Sequence, residues 1–258
     1  MGNTLPTQDK IQKVREYILS NRRASVEELT KYLNVSGVTI RKILNYLAAH
    51  GFVVRSYGGA VLAESPTVLK SVKTRSEMAV NEKKAIARVC SNLIEDWENI
   101  ILDAGSTTLI IARFLRNRKL RIITNSLPIA DELCDSDSEA SVEILGGTLR
   151  KASASVIGPQ VCRALEKMRV DKAIIGCSGF NLKLGFSCQN SIEAETKKAM
   201  LQCAAQKIIV CDHSKFEKSA FAIFAAPSEI DIVITDHKPE KSILESLRNN
   251  GVKIIIAK

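Results

Sequence analysis

From residue 77 onward the sequence alternates two kinds of segment: short apolar runs rich in β-branched residues and stretches of helical character. The runs are 100–102, 121–124, 142–145, 173–175, 207–210, 232–235 and 252–256. A strand that is apolar at nearly every position has no face to give to water. Such strands, alternating with helices, predict a largely parallel sheet covered on both sides, a three-layer α/β/α arrangement. Ala85, Ile86, Val89, Leu93 and Ile94 mark the helix that opens the series. No internal repeat or low-complexity tract interrupts it.

In a sheet of this kind ligands sit where strands end and helices begin. The first run leads into Asp103, Ala104, Gly105, Ser106, Thr107 and Thr108, then into an apolar helix from Leu109. A glycine and three hydroxyls at a helix N-terminus predict an anion site, with free N–H groups, the positive end of the helix dipole and O–H donors. Thr124 leads into Asn125 and Ser126 before another helix. Leu145 leads into Gly146, Gly147 and Thr148; Ile175 into Gly176, Cys177, Ser178 and Gly179; Val210 into Cys211, Asp212, His213, Ser214 and Lys215. Gly and Ser recur in such loops for steric reasons alone. Taken together, the series predicts one polar crevice along one edge of the sheet. The charged candidates carry rival readings. Asp103 fits a helix cap as well as a ligand contact. Glu193 and Lys197 stand i, i+4 on a helix and fit a solvated surface pair. Asp212 and Lys215 directly follow an apolar strand, which favours ligand contact. Residues 185–190 read as an irregular loop, and Trp97, beside Glu95, Asp96 and Glu98, reads as a loop edge with no role beyond packing.

Residues 1–63 follow a different pattern. Residues 35–47, V-S-G-V-T-I-R-K-I-L-N-Y-L, place Ile40, Leu44 and Leu47 on one helical stripe. Ser36 is suited to cap that helix. The other face carries Thr39, Arg41, Lys42, Asn45 and Tyr46 and no acid, so it can donate to phosphates or base edges. Upstream, Ser25 and Glu28 form a capping-box pattern that opens a helix with Val26, Leu29 and Leu33 on its apolar side. Asn34 and Val35 remain as a tight connection, which predicts a helix-turn-helix with the second helix as reader. An earlier helix, starting near Thr7, has Ile11, Val14, Ile18 and Leu19 on one side. After Gly51, residues 52–62 read as a two-stranded hairpin with Gly58 and Gly59 in the turn and Arg55 and Tyr57 near its tip. Three helices and this hairpin make a winged helix-turn-helix. Residues 64–76, with Pro66, read as a linker.

The charge agrees with that division. The chain of 258 residues carries +9, of which +5 lies in residues 1–63, with nine Lys or Arg against four acids. Over half of the excess therefore sits on about a quarter of the chain, the quarter that reads as a duplex-binding unit. No apolar run approaches the roughly 18 residues of a membrane span, and the N-terminus has no apolar signal core. The seven cysteines are scattered, with no C-x-x-C pair, which predicts reduced, mostly buried thiols in a cytoplasm and no disulfide framework. The three histidines, His50, His213 and His237, are dispersed, so no metal site is expected.

Residues 41–60, R-K-I-L-N-Y-L-A-A-H-G-F-V-V-R-S-Y-G-G-A, resemble the N-terminal domain of the DeoR/GlpR-type bacterial transcriptional regulators, whose usual pattern is V-S-x-x-T-I-R-R-D-L ending in R-x-H-G-G-A. Lys42, Ile43 and Tyr57 depart from that pattern: Lys42 keeps the charge without the guanidinium fork, and Ile43 extends the core. The series D-A-G-S-T, T-N-S, L-G-G, G-P, D-K-A-I-I-G, E-x-x-x-K and D-H-S-K-F resembles the C-terminal sensor domain of the same family, similar in fold to ribose-5-phosphate isomerase, glucosamine-6-phosphate deaminase and CoA transferases. The resemblance implies a repressor of a sugar-catabolism operon whose residues 77–258 bind a phosphorylated sugar and hold a homo-oligomer, dimer or tetramer, together. It implies DNA contacts from Ser36, Thr39, Arg41, Lys42, Asn45, Tyr46, Arg55 and Tyr57. It places the phosphate on Gly105, Ser106, Thr107 and Thr108, and sugar contacts at Asp103, Thr124, Asn125, Ser126, Gly146, Gly147, Gly179, Glu193 and Asp212, with Lys197 and Lys215 as the cations. It implies no cofactor, no metal, no membrane partner and no catalytic residue. The alternative is a sugar-phosphate isomerase or deaminase that carries a DNA-binding extension, with Asp103, Glu193, Asp212 and His213 as its acid–base set.

Overall fold

A computed structural model describes residues 8–49, 53–56, 58–62, 75–134 and 138–258. The chain divides into two compact units, Met1–Leu69 and Lys70–Lys258.

In the smaller unit, α1 (Gln8–Asn21), β1 (Arg23–Ser25), α2 (Val26–Leu33), α3 (Gly37–Ala49), β2 (Val53–Ser56) and β3 (Gly59–Leu62) follow in order. The capping box forms: Ser25 Oγ accepts the Glu28 amide at 3.1 Å and the Glu28 carboxylate accepts the Ser25 amide at 2.7 Å. Asn34 ends α2 in the left-handed region, φ 50, a conformation its short amide side chain tolerates. This turns the chain sharply into α3. Val14, Ile18, Leu29, Ile40, Ile43, Leu44, Leu47 and Val53 share one core. Ile43 is fully buried, so the isoleucine extends the core. Burial of a side chain of this size contributes about 1.5–3 kcal/mol. The hairpin is not two-stranded as expected: β1 pairs antiparallel with β3, giving the order β1-β3-β2. The reason lies in Gly59. A Cβ there would stand 2.4 Å from the Ala24 carbonyl oxygen, so only glycine admits the third strand. Thr7, Gly51, Phe52 and Tyr57, together with linker residues 64–74, lie outside the described residues.

The larger unit holds α4 (Val80–Ser91), β4 (Asn99–Leu102), α5 (Ser106–Leu115), β5 (Arg121–Thr124), α6 (Leu127–Leu133) and β6 (Ser141–Ile144). Next come β7 (Thr148–Arg150), β8 (Ser155–Ile157), α7 (Pro159–Leu165), β9 (Val170–Gly176), β10 (Gly179–Asn181), β11 (Gly185–Cys188), α8 (Ser191–Gln202) and β12 (Ala204–Val210). It closes with β13 (Ala222–Ala225), β14 (Ile232–Thr235), α9 (Lys241–Asn249) and β15 (Lys253–Ile256). The apolar runs of the sequence are the strands of one parallel sheet, ordered β15-β14-β12-β9-β4-β5-β6. Alternate residues divide between its faces. Ile100, Leu102, Ile122, Ile174, Ile208 and Ile234 pack with α4, α5 and α6. Ile101, Ile123, Ile175, Ile209 and Val233 pack with α7, α8 and α9 on the other side.

Strand order reverses between β4 and β9. From β4 the chain winds outward through β5 to β6; from β9 it winds the other way through β12 and β14 to β15. The C-terminal ends of β12, β9 and β4 are therefore neighbours at the switch point, where the helices on either side leave a crevice.

Two expectations change. Residues 185–188 are not loop but β11, paired with β10 and β13, because the ring of Phe186 is fully buried against Phe180 and Phe224. Gly146 and Gly147 lead into the antiparallel ribbon β7–β8 rather than a helix. Trp97 stands at a loop edge, as its acidic neighbours suggest: it is 78% exposed, with Lys119 Nζ over its ring at 5.7 Å.

Candidate functional sites

The reader face is built by α3. Ser36 Oγ accepts the Thr39 amide at 3.3 Å and lies 3.0 Å from Thr39 Oγ1, which starts the helix. With Ile40, Ile43, Leu44 and Leu47 turned inward, the helical period carries Arg41, Lys42, Asn45 and Tyr46 to solvent, with Ser36 exposed and Thr39 half-buried. No acid occurs anywhere in α3. Arg55, on β2, is exposed as well. The arrangement offers donors of fixed spacing on a rigid helix, which suits phosphate and base-edge contacts.

The second site is the crevice at the switch point, a cavity of about 110 Å³. From the loop after β4 it takes Ala104, Gly105, Ser106, Thr107 and Thr108; from β9 and beyond, Gly176, Cys177 and Ser178; from β12 and beyond, Val210, Cys211, Asp212, Ser214 and Lys215. Glu193 and Lys197 enter from α8, and Arg75, Met78, Ala79 and Lys83 from the segment that leads into α4. The N-terminus of α5 opens here. Gly105 caps it without any side-chain hydrogen bond, whereas α6 and α8 are capped by Ser126 and Asn190. Its first amides thus stay available to a ligand.

Behind the loop lies a buried ion pair. Lys197, 2% exposed, holds the Asp103 carboxylate and donates to the Gly176 carbonyl at 2.9 Å, while Asp103 also accepts the Gly176 amide at 3.1 Å. Burial pushes the Asp103 carboxyl up, and the Lys197 ammonium pulls it back part of the way. Burial works to lower Lys197, but Asp103 and Glu193 outweigh it and hold that ammonium above the ordinary lysine value. Both rival readings fall away: Asp103 is not a cap of α5, and Lys197 is not on the surface. Glu193 bridges outward, 3.8 Å from Lys197 Nζ and paired with Arg150. Asp212 accepts the Ser214 amide at 3.1 Å and lies 3.7 Å from Lys215 Nζ. Lys83, only 4% exposed, donates to the Met78 carbonyl at 2.7 Å and to the Arg75 carbonyl. Burial pushes its ammonium down, against the pull of Asp212. Cys211, hydrogen-bonded with Cys177 and buried, has its thiol held well above the ordinary range.

The remaining sequence candidates do not line the cavity. Thr124, Asn125 and Ser126 brace its floor: Asn125 Oδ1 accepts the Ala104 amide at 3.0 Å, its Nδ2 donates to the Val156 carbonyl at 2.9 Å, and Thr124 Oγ1 donates to the Leu102 carbonyl at 2.7 Å. At Gly147, φ 156, an added Cβ would stand 3.1 Å from a methyl of Val156 and 3.2 Å from one of Val161, and Gly146 stands open beside it. Gly179 lies against the Lys218 backbone. Sequence reasoning missed Arg75, Met78, Ala79 and Lys83. One signal is conformational. Ala79 sits in the left-handed region, φ 50, a strain that non-glycine residues keep mainly where function or packing fixes them. The dispersed histidines also need correction. Because β12 and β14 are neighbouring parallel strands, the loops after them bring His213 and His237 together around Asp236.

Comparison with known proteins matches both parts of the chain to one family. The model of the DeoR-like helix-turn-helix domain matches residues 10–66, and that of the DeoR C-terminal sensor domain matches residues 78–237. The HTH-type transcriptional repressor GlcR of Bacillus subtilis (strain 168) is 31% identical over 249 residues, 96% of each chain. The glycerol-3-phosphate regulon repressor of Escherichia coli (strain K12) is 30% identical over 240 residues, 93% of this chain and 94% of its own. A ribose 5-phosphate isomerase A from Methanocaldococcus jannaschii overlaps 53% of this chain and 54% of its own at 18% identity and a TM-score of 0.38, too distant to bear on the chemistry.

Proposed function

This chain belongs to the DeoR family of DNA-binding transcriptional regulators, and from that premise we propose a repressor of a carbohydrate-catabolism operon that answers to a phosphorylated sugar. Residues 1–63 read the operator, 64–76 connect, and 77–258 sense the effector and hold two or four copies together. Ser36, Thr39, Arg41, Lys42, Asn45 and Tyr46 of the reader face, with Arg55 and Tyr57 of the wing, contact the duplex. Winged units read short half-sites, so useful affinity needs at least two readers per assembly.

One observation carries the effector reading. Around the uncapped end of α5, with Lys197 offset by Asp103 and Glu193 by Arg150, the crevice sets Arg75, Lys83 and Lys215 against Asp212. That balance fits a phosphate dianion, with Gly105, Ser106, Thr107 and Thr108 supplying amides and hydroxyls. Glu193 and Asp212 are left to accept from sugar hydroxyls. Asp103, Thr124, Asn125, Ser126, Gly146, Gly147 and Gly179 act behind the ligand by shaping its loops. The chain is a regulator and not an isomerase. In keeping with that, two of the acid–base candidates do not line the crevice: Asp103 is held by Lys197 and His213 by Asp236.

Ligand binding shifts the paired readers by its differential affinity for two arrangements. The test separates the two sites. Arg41→Ala weakens operator binding by about 1–3 kcal/mol and flattens its salt dependence, with effector affinity intact. Lys215→Ala leaves operator binding and blunts release or retention by sugar phosphates. Equal loss of both functions in either variant defeats the division of labour, and enzyme-like turnover of pentose or hexosamine phosphates defeats the regulator reading.

A further inference from the structure

Outside the crevice, one side-chain cluster has no part in the function described so far. His213, in the turn after β12, and His237, after β14, approach from two loops onto one carboxylate. Both Nδ1 atoms lie 2.6 Å from the same oxygen, Asp236 Oδ2, and the rings meet edge to face with centroids 4.8 Å apart. Asp236 is 9% exposed, and its other oxygen accepts the His213 amide at 2.6 Å and the Thr235 hydroxyl at 3.3 Å. The carboxylate is therefore held rigid from behind, while the two imidazoles stand at the surface, 51% and 68% exposed.

We propose that His213, Asp236 and His237 form a binding site for a divalent transition-metal ion such as Zn²⁺ or Co²⁺. Two imidazole nitrogens and one carboxylate oxygen converge within 4.8 Å of one another, and they form a borderline-soft, three-donor set that leaves further positions for water. Two N–H groups directed at one carboxylate oxygen is an arrangement in which the protons occupy the place of the ion. Metal–ligand bonds near 2.0–2.2 Å require the donors to spread from 2.6 Å to roughly 3.4 Å, a movement that surface imidazoles make by rotation alone. The hydrogen bonds to the second carboxylate oxygen supply the outer support that orients a ligand. An ion seated here ties the β12 turn to the β14 loop. That turn carries Ser214 and Lys215 into the crevice, so metal occupancy fixes the position of groups assigned above to the effector; this consequence rests on the effector reading, whereas the metal site does not.

The full chain, stripped with a chelator and kept reduced, is titrated with Co²⁺ by absorbance and with Zn²⁺ by calorimetry. Expected are one saturable ion per chain, ligand-field bands of nitrogen and oxygen donors without thiolate charge transfer, and a higher Tm. His213→Ala and His237→Ala, both at exposed imidazoles, each weaken binding by about 100-fold or more, while His50→Ala binds as the parent does. Absence of stoichiometric binding, affinity unchanged in both His213→Ala and His237→Ala, or a thiolate charge-transfer band overturns the site.

Discussion

Lys197 is the residue on which the crevice depends. Its ammonium is paired to Asp103 where water does not reach, so each charge is tolerable only because the other is there. Asp103→Asn is expected to lower unfolding free energy by about 3–5 kcal/mol, read by urea denaturation. The double variant Asp103→Leu with Lys197→Met is expected to recover most of that while losing response to sugar phosphates. A mild effect of the single substitution would mean that Gly176 and Glu193 satisfy Lys197 by themselves. This burial was legible in the sequence, though not by the spacing first read. Glu193 and Lys197 at i, i+4 suggest a surface pair, but Ala194, Lys197 and Leu201 fall at i, i+3, i+7, the apolar stripe of α8. The thiols offer a second check at this scale. Burial holds Cys90 and Cys188 at about 12, and thiolate is the reactive form. At neutral pH a thiol reagent should label exposed Cys134 first and leave Cys90 and Cys188 untouched until the chain unfolds; rapid labelling of either in the native protein contradicts their placement.

At the scale of elements, the sequence was most informative where hydrophobic period and strand length agreed. The seven β-branched runs became the strands of the parallel sheet, because a strand buried on both faces must be apolar throughout. The short pieces escaped. β1 spans three residues, Arg23–Ser25, with no alternating pattern, and exists only through its pairing with β3. β11 likewise owes its conformation in part to β13, distant in sequence, a cooperation that local propensity does not report, and β7 and β8, three residues each, are too short to show a pattern. Gly59→Ala tests the least visible of these contacts. Its Cβ would collide with the Ala24 carbonyl, so the third strand must move away, at a cost of about 1–3 kcal/mol. The expected result is weakened operator binding in gel-shift titrations with sugar-phosphate affinity unchanged. Full operator affinity would mean that the wing functions as a bare hairpin.

For the whole molecule, the two units have separate cores and separate tasks. A sugar phosphate that binds the crevice at 100 times its Kd contributes about 2.7 kcal/mol to the larger unit, worth roughly 5–10 °C in its Tm. The transition of the smaller unit, resolved as its own peak by scanning calorimetry, should stay where it is. Equal shifts in both would mean that the units melt as one. Among the described residues no helix is long and apolar enough to cross a membrane. The duplex contacts follow the local charge, +5 over residues 1–63, so operator affinity should fall steeply with added salt while effector affinity changes far less.

The crevice draws its walls from residues 75–83, 104–108, 176–178, 193–197 and 210–215, pieces gathered from most of the larger unit. An early stop before Lys215 therefore removes part of its wall. A shortened product that keeps only the first 63 residues would still recognise its operator, weakly and without a partner copy, and would be deaf to sugar. Nonsense alleles of such a gene should accordingly yield expression that no longer follows the carbon source, for any codon between the linker and Lys215.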